Sequence, residues 1–263
     1  MAVLILPLVA AACGSSKSGS SNTPTTSAGA VLSIAAAVAK TAKAGSEHVA
    51  ISATTTAAGQ HVTLTGSGDF DSAKSQGKLT TTVDLTGVKT QLNEVLTGKT
   101  VYISSQLFSS FLPAGKSWLK IDLSSAGKAL GIQSSVLGAQ DPGQALAQLQ
   151  ALTGVQKIGT ATIAGVSTTH YRGKIDTSKL PSGVSSALST TGASVGPYEV
   201  WVGDDGYVHR VRLTTTASSG TGNVGKTVLT MTLSQFGESV SVSVPSASET
   251  VDASKLSIPG LSG

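Results

Sequence analysis

Aromatic side chains are scarce in this chain, with Trp, Tyr and Phe together making only 4% of its residues. Charged residues make 12%, about half the ~25% of an ordinary soluble domain. The lysines and arginines are scattered, although the net charge is +4. A nucleic-acid surface needs a concentrated basic face with stacking rings, so no nucleic-acid partner is expected. A single cysteine excludes a disulfide framework. The four histidines, His48, His61, His170 and His209, are not at metal-ligand spacing, and no H-E-x-x-H or C-x-x-C occurs. One G-x-S-x-G string occurs, GASVG (192–196), but Pro197 and the alternating YEVWV follow it, not the helix that a nucleophile elbow needs. Asp204-Asp205 precede Gly206 and read as turn chemistry, while Glu199 and Asp122 have no evident acid or base partner. The chain therefore reads as a non-enzyme with no catalytic residue, metal ligand or cofactor.

One motif argues the other way. GTGNVGKT (220–227) matches the phosphate-cradling G-x-x-x-x-G-K-[ST] pattern. That chemistry needs a helix immediately after the loop, with its N-terminus facing the phosphates. VLTMTLSQF follows instead, alternating and β-branched, so the match reads as chance in a Gly/Ser/Thr-rich chain. The histidines in alternating segments read as solvent-exposed strand residues.

The one cysteine, Cys13, ends LVAAAC (8–13), small residues after the apolar run of 2–12. This has the form of a bacterial lipobox, although no Lys or Arg precedes the run and Ala10 stands where leucine is commonest. Residues 1–12 are then a lipoprotein signal peptide, or the end of a longer one, Cys13 the lipidated residue and 13–28 a flexible Ser/Gly/Thr tether. Two or more acyl chains, at about 0.8 kcal/mol per buried methylene, give a stable anchor. Beyond residue 12 no apolar run reaches the roughly 18–20 residues of a spanning helix. The expected location is outside the cell, anchored by lipid to the outer face of its membrane.

The rest reads as one α+β domain, 29–245, with a tail at 246–263. AGAVLSIAAAVAKTAKAG has helical spacing and stops at Gly45. Strands with alternating patterns follow at 48–56, 61–70, 78–85, 88–96, 99–104 and 117–123. Helical segments fill 124–152, with Asp141-Pro142 opening the last. Strands resume at 155–163 and 166–175, a short helix falls within 176–192, and strands end the domain at 198–202, 207–216 and 226–236. The sheet is mainly antiparallel.

Half-polar strands imply one dry face. Its candidates are Val62 and Leu64, Leu79 and Val83, Val101 and Ile103, Leu119 and Ile121, Val200, Val211 and Leu213, and Leu229, Met231 and Leu233. All are medium-sized aliphatics. With few rings to fill its centre, a large sheet lined this way encloses either an apolar cavity or an ordinary packed core, and the pattern serves both. Trp118 and Trp201 alternate out of phase with the aliphatics, which puts both indoles on the opposite face.

GKSWLKIDLSS (115–125), HYRGKIDTSKLPSG (170–183) and YEVWVGDDGYVHRVRL (198–213) resemble segments of the LppX/LprAFG lipoproteins of actinobacterial envelopes. The order of elements is more distantly similar to the LolA/LolB carriers. The resemblance implies a bent half-barrel sheet with helices on its concave side, and an apolar cavity between them for the acyl chains of a lipid or lipoglycan. The fourteen aliphatics would line it. A monomer is expected, with an envelope transporter or sensor protein as a further candidate partner. The alternative is a closed-core sensor or assembly lipoprotein acting through a membrane protein. The anchor is tested by Cys13→Ala, which is expected to move the protein from the membrane pellet to the soluble fraction. A variant that stays in the pellet contradicts it.

Overall fold

Most strands carry most of their aliphatic residues on one side, and the fold is what lets those sides add up. The structure, a computed structural model, describes residues 28–57, 59–123, 142–179, 193–218 and 224–256. Cys13, the expected leader and tether, the expected helical segments over 124–141, and 180–192, most of the segment expected to hold a short helix, lie outside the described residues.

Helix α1 (Ala28–Ala44) opens the described chain. Ala30, Ile34, Ala37, Val38 and Thr41 are buried along one stripe, the spacing of one helical face. Gly45 at φ +77° ends it, a left-handed position that glycine adopts without steric cost. Six strands follow in sequence: β1 (Ser46–Ala57), β2 (Gln60–Asp71), β3 (Gln76–Leu85), β4 (Val88–Thr97), β5 (Thr100–Ser105) and β6 (Trp118–Asp122). After helix α2 (Pro142–Gln148) and a 3₁₀ turn, Leu149–Ala151, come β7 (Leu152–Ile163), β8 (Val166–Ile175), β9 (Ala193–Gly203), β10 (Val208–Ser218), β11 (Val224–Ser234) and β12 (Thr250–Asp252).

The strands form one open sheet in the order β12-β6-β5-β4-β3-β2-β1-β11-β10-β9-β8-β7. It is two antiparallel meanders, β1–β6 and β7–β11, joined where β1 pairs with β11 from His48↔Ser234 to Thr56↔Lys226. Strand β12 lies in the segment expected as a tail and pairs parallel with β6 through Val251↔Leu119. Three residues are too few to show an alternation, so only the remote partner makes them a strand.

Directly paired residues point to the same face, so the register defines rows across the sheet. One row runs Leu119, Ile103, Glu94, Leu79, Gly68, Val49, Leu233. The next runs Leu92, Thr81, Gly66, Ile51, Met231, Val211, Val200, Tyr171. A third runs Val83, Leu64, Ala53, Leu229, Leu213, Tyr198. On this face α1 and α2 pack near β7, β9 and β10, with Ile34, Val38, Leu146 and Leu149 joining Val155, Val200, Val208 and Leu233 in the larger apolar cluster. A smaller cluster at the other end gathers Val101, Ile103, Leu119, Ile121 and Ala253.

The helix is clipped to the sheet at a bulge. The register between β9 and β10 slips at Val208/Arg210, leaving the buried Val208 amide to find another acceptor. Thr41 supplies it: its hydroxyl accepts from the Val208 N–H at 2.9 Å and donates to the Ala37 carbonyl at 2.8 Å. Lys40 also donates to the Asp205 carbonyl and lies over the Tyr207 ring. An unsatisfied buried donor costs about 1–3 kcal/mol. Thr41→Val is therefore expected to lower the unfolding free energy by that amount in a urea titration, while Ser33→Ala, on the exposed side, changes it by less than ~0.5 kcal/mol.

Candidate functional site

All fourteen aliphatics proposed from the sequence fall on the same side of the sheet. Nine are buried: Leu79, Val101, Ile103, Leu119, Ile121, Val200, Val211, Met231 and Leu233. The other five, Val62, Leu64, Val83, Leu213 and Leu229, are half-buried. Their arrangement matters more than their number. Val83, Leu64, Ala53, Leu229 and Leu213 are successive members of the third row, on β3, β2, β1, β11 and β10. Five adjacent strands thus present one partly wetted apolar strip. At ~4.8 Å between strands it is roughly 19 Å wide, more than the roughly 15 Å of hydrocarbon in one leaflet of a bilayer. The rows beside it are mostly buried, so the face is sealed at one end of the strands and half-open at the other.

Sequence reasoning missed several members of this face. Val49, Ile51 and Tyr198 belong to its buried part, and two polar residues interrupt it. Glu94 lies between Leu79 and Ile103 in its row, flanked by Leu92 and Leu96 on its own strand and Gly77, Thr81, Val101 and Ser105 on the diagonals. None carries a charge. Burial among them pushes the Glu94 carboxyl up from 4.5 to about 7. Thr81 is 2% exposed, and its hydroxyl has no hydrogen-bond partner among the described residues. The signal for Glu94 was in VKTQLNEVL (88–96), where a carboxylate occupies the phase otherwise held by Val88, Leu92 and Leu96.

The opposite face is polar and internally paired. Arg172 donates from Nε and Nη2 to Glu199 Oε1 at 3.0 and 2.6 Å, and Arg212 and His170 approach the same carboxylate at 3.6 and 3.7 Å. Trp201 stacks on His170 at 3.9 Å. The register of Trp118 and Trp201 places both on this side, as the alternation predicted. Burial lowers the His170 pKa below its ordinary value, against the pull of Glu199. A hydrogen bond to His48, at 2.7 Å, lowers that of Asp69. A hollow of about 290 Å³ on this face is lined by polar groups including His48, Asp69, Lys78 and Asn93. Two histidines depart from the exposed reading: His170 is 20% exposed beneath the Trp201 ring with its Nε2 shut off from water, and His209 is 3% exposed, because the bulge beside it turns its ring against Phe236 and onto Asp205, 2.9 Å from Oδ2. Glu199, read as unpartnered, is the centre of the arginine cluster.

The phosphate-loop match is settled by its second half. Gly225, Lys226 and Thr227 lie in β11, paired with Ala217, Thr216 and Thr215, and no helix begins there. No cluster of three or more His, Cys, Asp or Glu able to hold a metal is present among the described residues. No described helix is long and apolar enough to cross a membrane.

A family model, the LppX_LprAFG lipoproteins, matches residues 28–242. The chain belongs to the LppX/LprAFG lipoprotein family. Two solved structures share its fold. The lipoprotein LppX of Mycobacterium tuberculosis superposes with a TM-score of 0.51 at 20% identity, covering 82% of this chain and 98% of that one. LprF from Mycobacterium bovis gives 0.51 at 14% identity, covering 85% and 99%. Among curated proteins none matches the sequence. The family is one of lipoproteins rather than of enzymes, and the fold is its single, mostly antiparallel open sheet with few helices.

The position of Glu94 has a measurable consequence. Its folded pKa is raised, so the stability that goes with the neutral carboxyl is full below about pH 4.5 and is lost as pH rises through about 7. The loss is on the order of 2–3 kcal/mol. Unfolding free energies measured between about pH 5 and 8 are expected to fall with pH in the native chain. That slope flattens in Glu94→Gln.

Proposed function

We propose that this protein is a cell-envelope lipoprotein that binds the acyl chains of a lipid or lipoglycan against the apolar face of its sheet and carries or presents that lipid. The observation that carries the reading is the half-buried strip of Val83, Leu64, Ala53, Leu229 and Leu213 beside the buried rows. A soluble domain rarely leaves a contiguous apolar stripe wetted without using it. Membership of a lipoprotein family supports the same reading. Lipidation of Cys13 would tether the domain within reach of the bilayer it draws from.

The mechanism needs no catalytic group. Moving a lipid's tails from bilayer to strip exchanges one apolar surrounding for another, so transfer is near balance and reversible. Affinity follows the apolar area withdrawn from water, at ~25 cal/mol per Å², and a wide run of aliphatics accepts tails of varied shape because dispersion contacts have no direction. The membrane thus remains the competing solvent, which favours release as readily as uptake.

The reading is tested with Leu213→Asp/Leu229→Asp. These two residues are paired across β10 and β11 and half-buried, so the change need not unfold the chain. The double variant is expected to lose at least tenfold in extraction of a fluorescent diacyl lipid from vesicles, with its circular dichroism unchanged. Full extraction by the folded variant excludes a sheet-bound ligand, and Cys13→Ala is expected to extract normally.

A further inference from the structure

Glu94 is the one acidic side chain in the three rows, at the place where the two apolar clusters meet. Leu79 beside it belongs to the larger cluster, Leu92 and Leu96 to the edge of the smaller. The strand on the far side of β3 contributes nothing here. Gly68 stands opposite Leu79 and Gly66 opposite Thr81. A Cβ on Gly68 would overlap the Lys78 carbonyl oxygen, and one on Gly66 would sit 2.9 Å from Thr81 Oγ1. The face is therefore shallow beside a carboxyl with no hydrogen-bond or ion-pair partner among the described residues. Glu94 pairs with Leu79, four residues along β3 from Val83 of the half-open strip, which puts it roughly 13 Å inward from that strip with Thr81 midway.

We infer that Glu94 selects the ligand, accepting lipids that carry a hydroxyl group on or beside the acyl chain by hydrogen-bonding that hydroxyl. The inference rests on the carrier reading above and deepens it. A carboxyl kept in apolar surroundings is costly unless something pairs with it, and nothing among the described residues does. A ligand cation is disfavoured because Glu94 is the one charge on these rows to offset its desolvation. An ester oxygen only accepts, so it pairs with the protonated carboxyl alone. A hydroxyl both donates and accepts, and it therefore suits Glu94 in either protonation state, which matters for a group that titrates near neutral pH. The Thr81 hydroxyl, unpartnered between that spot and the strip, is the neighbouring polar atom along β3 and offers oxygen rather than hydrocarbon on the way in.

Two sources supply such a hydroxyl: a hydroxylated acyl chain, or the free glycerol hydroxyl of a diacylglycerol. The test uses a matched pair for each, methyl 12-hydroxystearate against methyl stearate, and a diacylglycerol against its acetylated form. Binding is measured by displacement of a fluorescent fatty ester from the full domain. The native protein is expected to prefer the hydroxylated member of one pair about fivefold to tenfold, the net worth of one hydrogen bond; which pair responds identifies the source. Glu94→Leu is expected to erase the preference while binding the hydroxyl-free member at least as well, and Glu94→Gln to restore part of it. A preference that survives in Glu94→Leu, or equal binding of both members by the native chain, overturns the inference and leaves the carrier reading standing. If the native chain takes no member of either pair, both fall.

Discussion

Strands that keep most of their aliphatic residues in one phase create a single obligation: one side of the sheet must be withdrawn from water, and there are few large side chains to do it with. The pairing of β1 with β11 extends that side without a break from β12 to β7, since Val49 meets Leu233 and Ile51 meets Met231 in register. A slip of one residue at this seam would turn one meander's aliphatics outward. Everything else on the face follows from how far the cover reaches. Helix α1 lies over β7, β9 and β10 with α2 against it, the segment around Phe108 and Leu112 and the chain from Val251 to Leu256 close the β6 end, and the strip between them stays half-exposed.

That division explains why the protein tolerates so few charges. A carboxylate on the buried rows would face hydrocarbon, and Glu94, the residue that does so, keeps its proton to far higher pH than a solvated glutamate. Charges on the other side have water and each other. Glu199 is nearly buried yet stays satisfied because the register brings Arg172 and Arg212 to either side of it. The same alternation thus produces two surfaces with opposite electrostatic rules, one where a charge is costly and one where charges pair.

The helical cover is held by few but specific contacts. The slip between β9 and β10 frees a backbone donor in an apolar setting, and Thr41 answers it from the helix. An apolar residue in its place would still pack, but the Val208 amide would be left unpaired. Ile34 and Val38 supply area without direction, whereas Thr41 fixes where along the sheet the helix sits. The position of the helix decides which rows are sealed, and so which row remains available to a ligand.

Much of this was legible from local pattern. Helical spacing and Gly45 bounded the first helix to within a residue, and alternation located eleven strands because period-two burial is written directly in the chain. It also put fourteen aliphatics and both tryptophans on their sides of the sheet. What alternation does not carry is who pairs with whom. The parallel strand at 250–252 exists only through β6, His209 is buried only because a bulge reorients it, and Glu199 is satisfied only by residues on two other strands. Likewise Glu94 stood in the apolar phase of its strand from the start, but the chargelessness of its neighbours depends on the register of β3 and β5. Local pattern along the chain is enough for a two-sided sheet with one greasy side, since side-chain direction along a strand is a local property. Which part of that side is covered emerges from the folded whole, because coverage depends on where remote helices and loops come to rest.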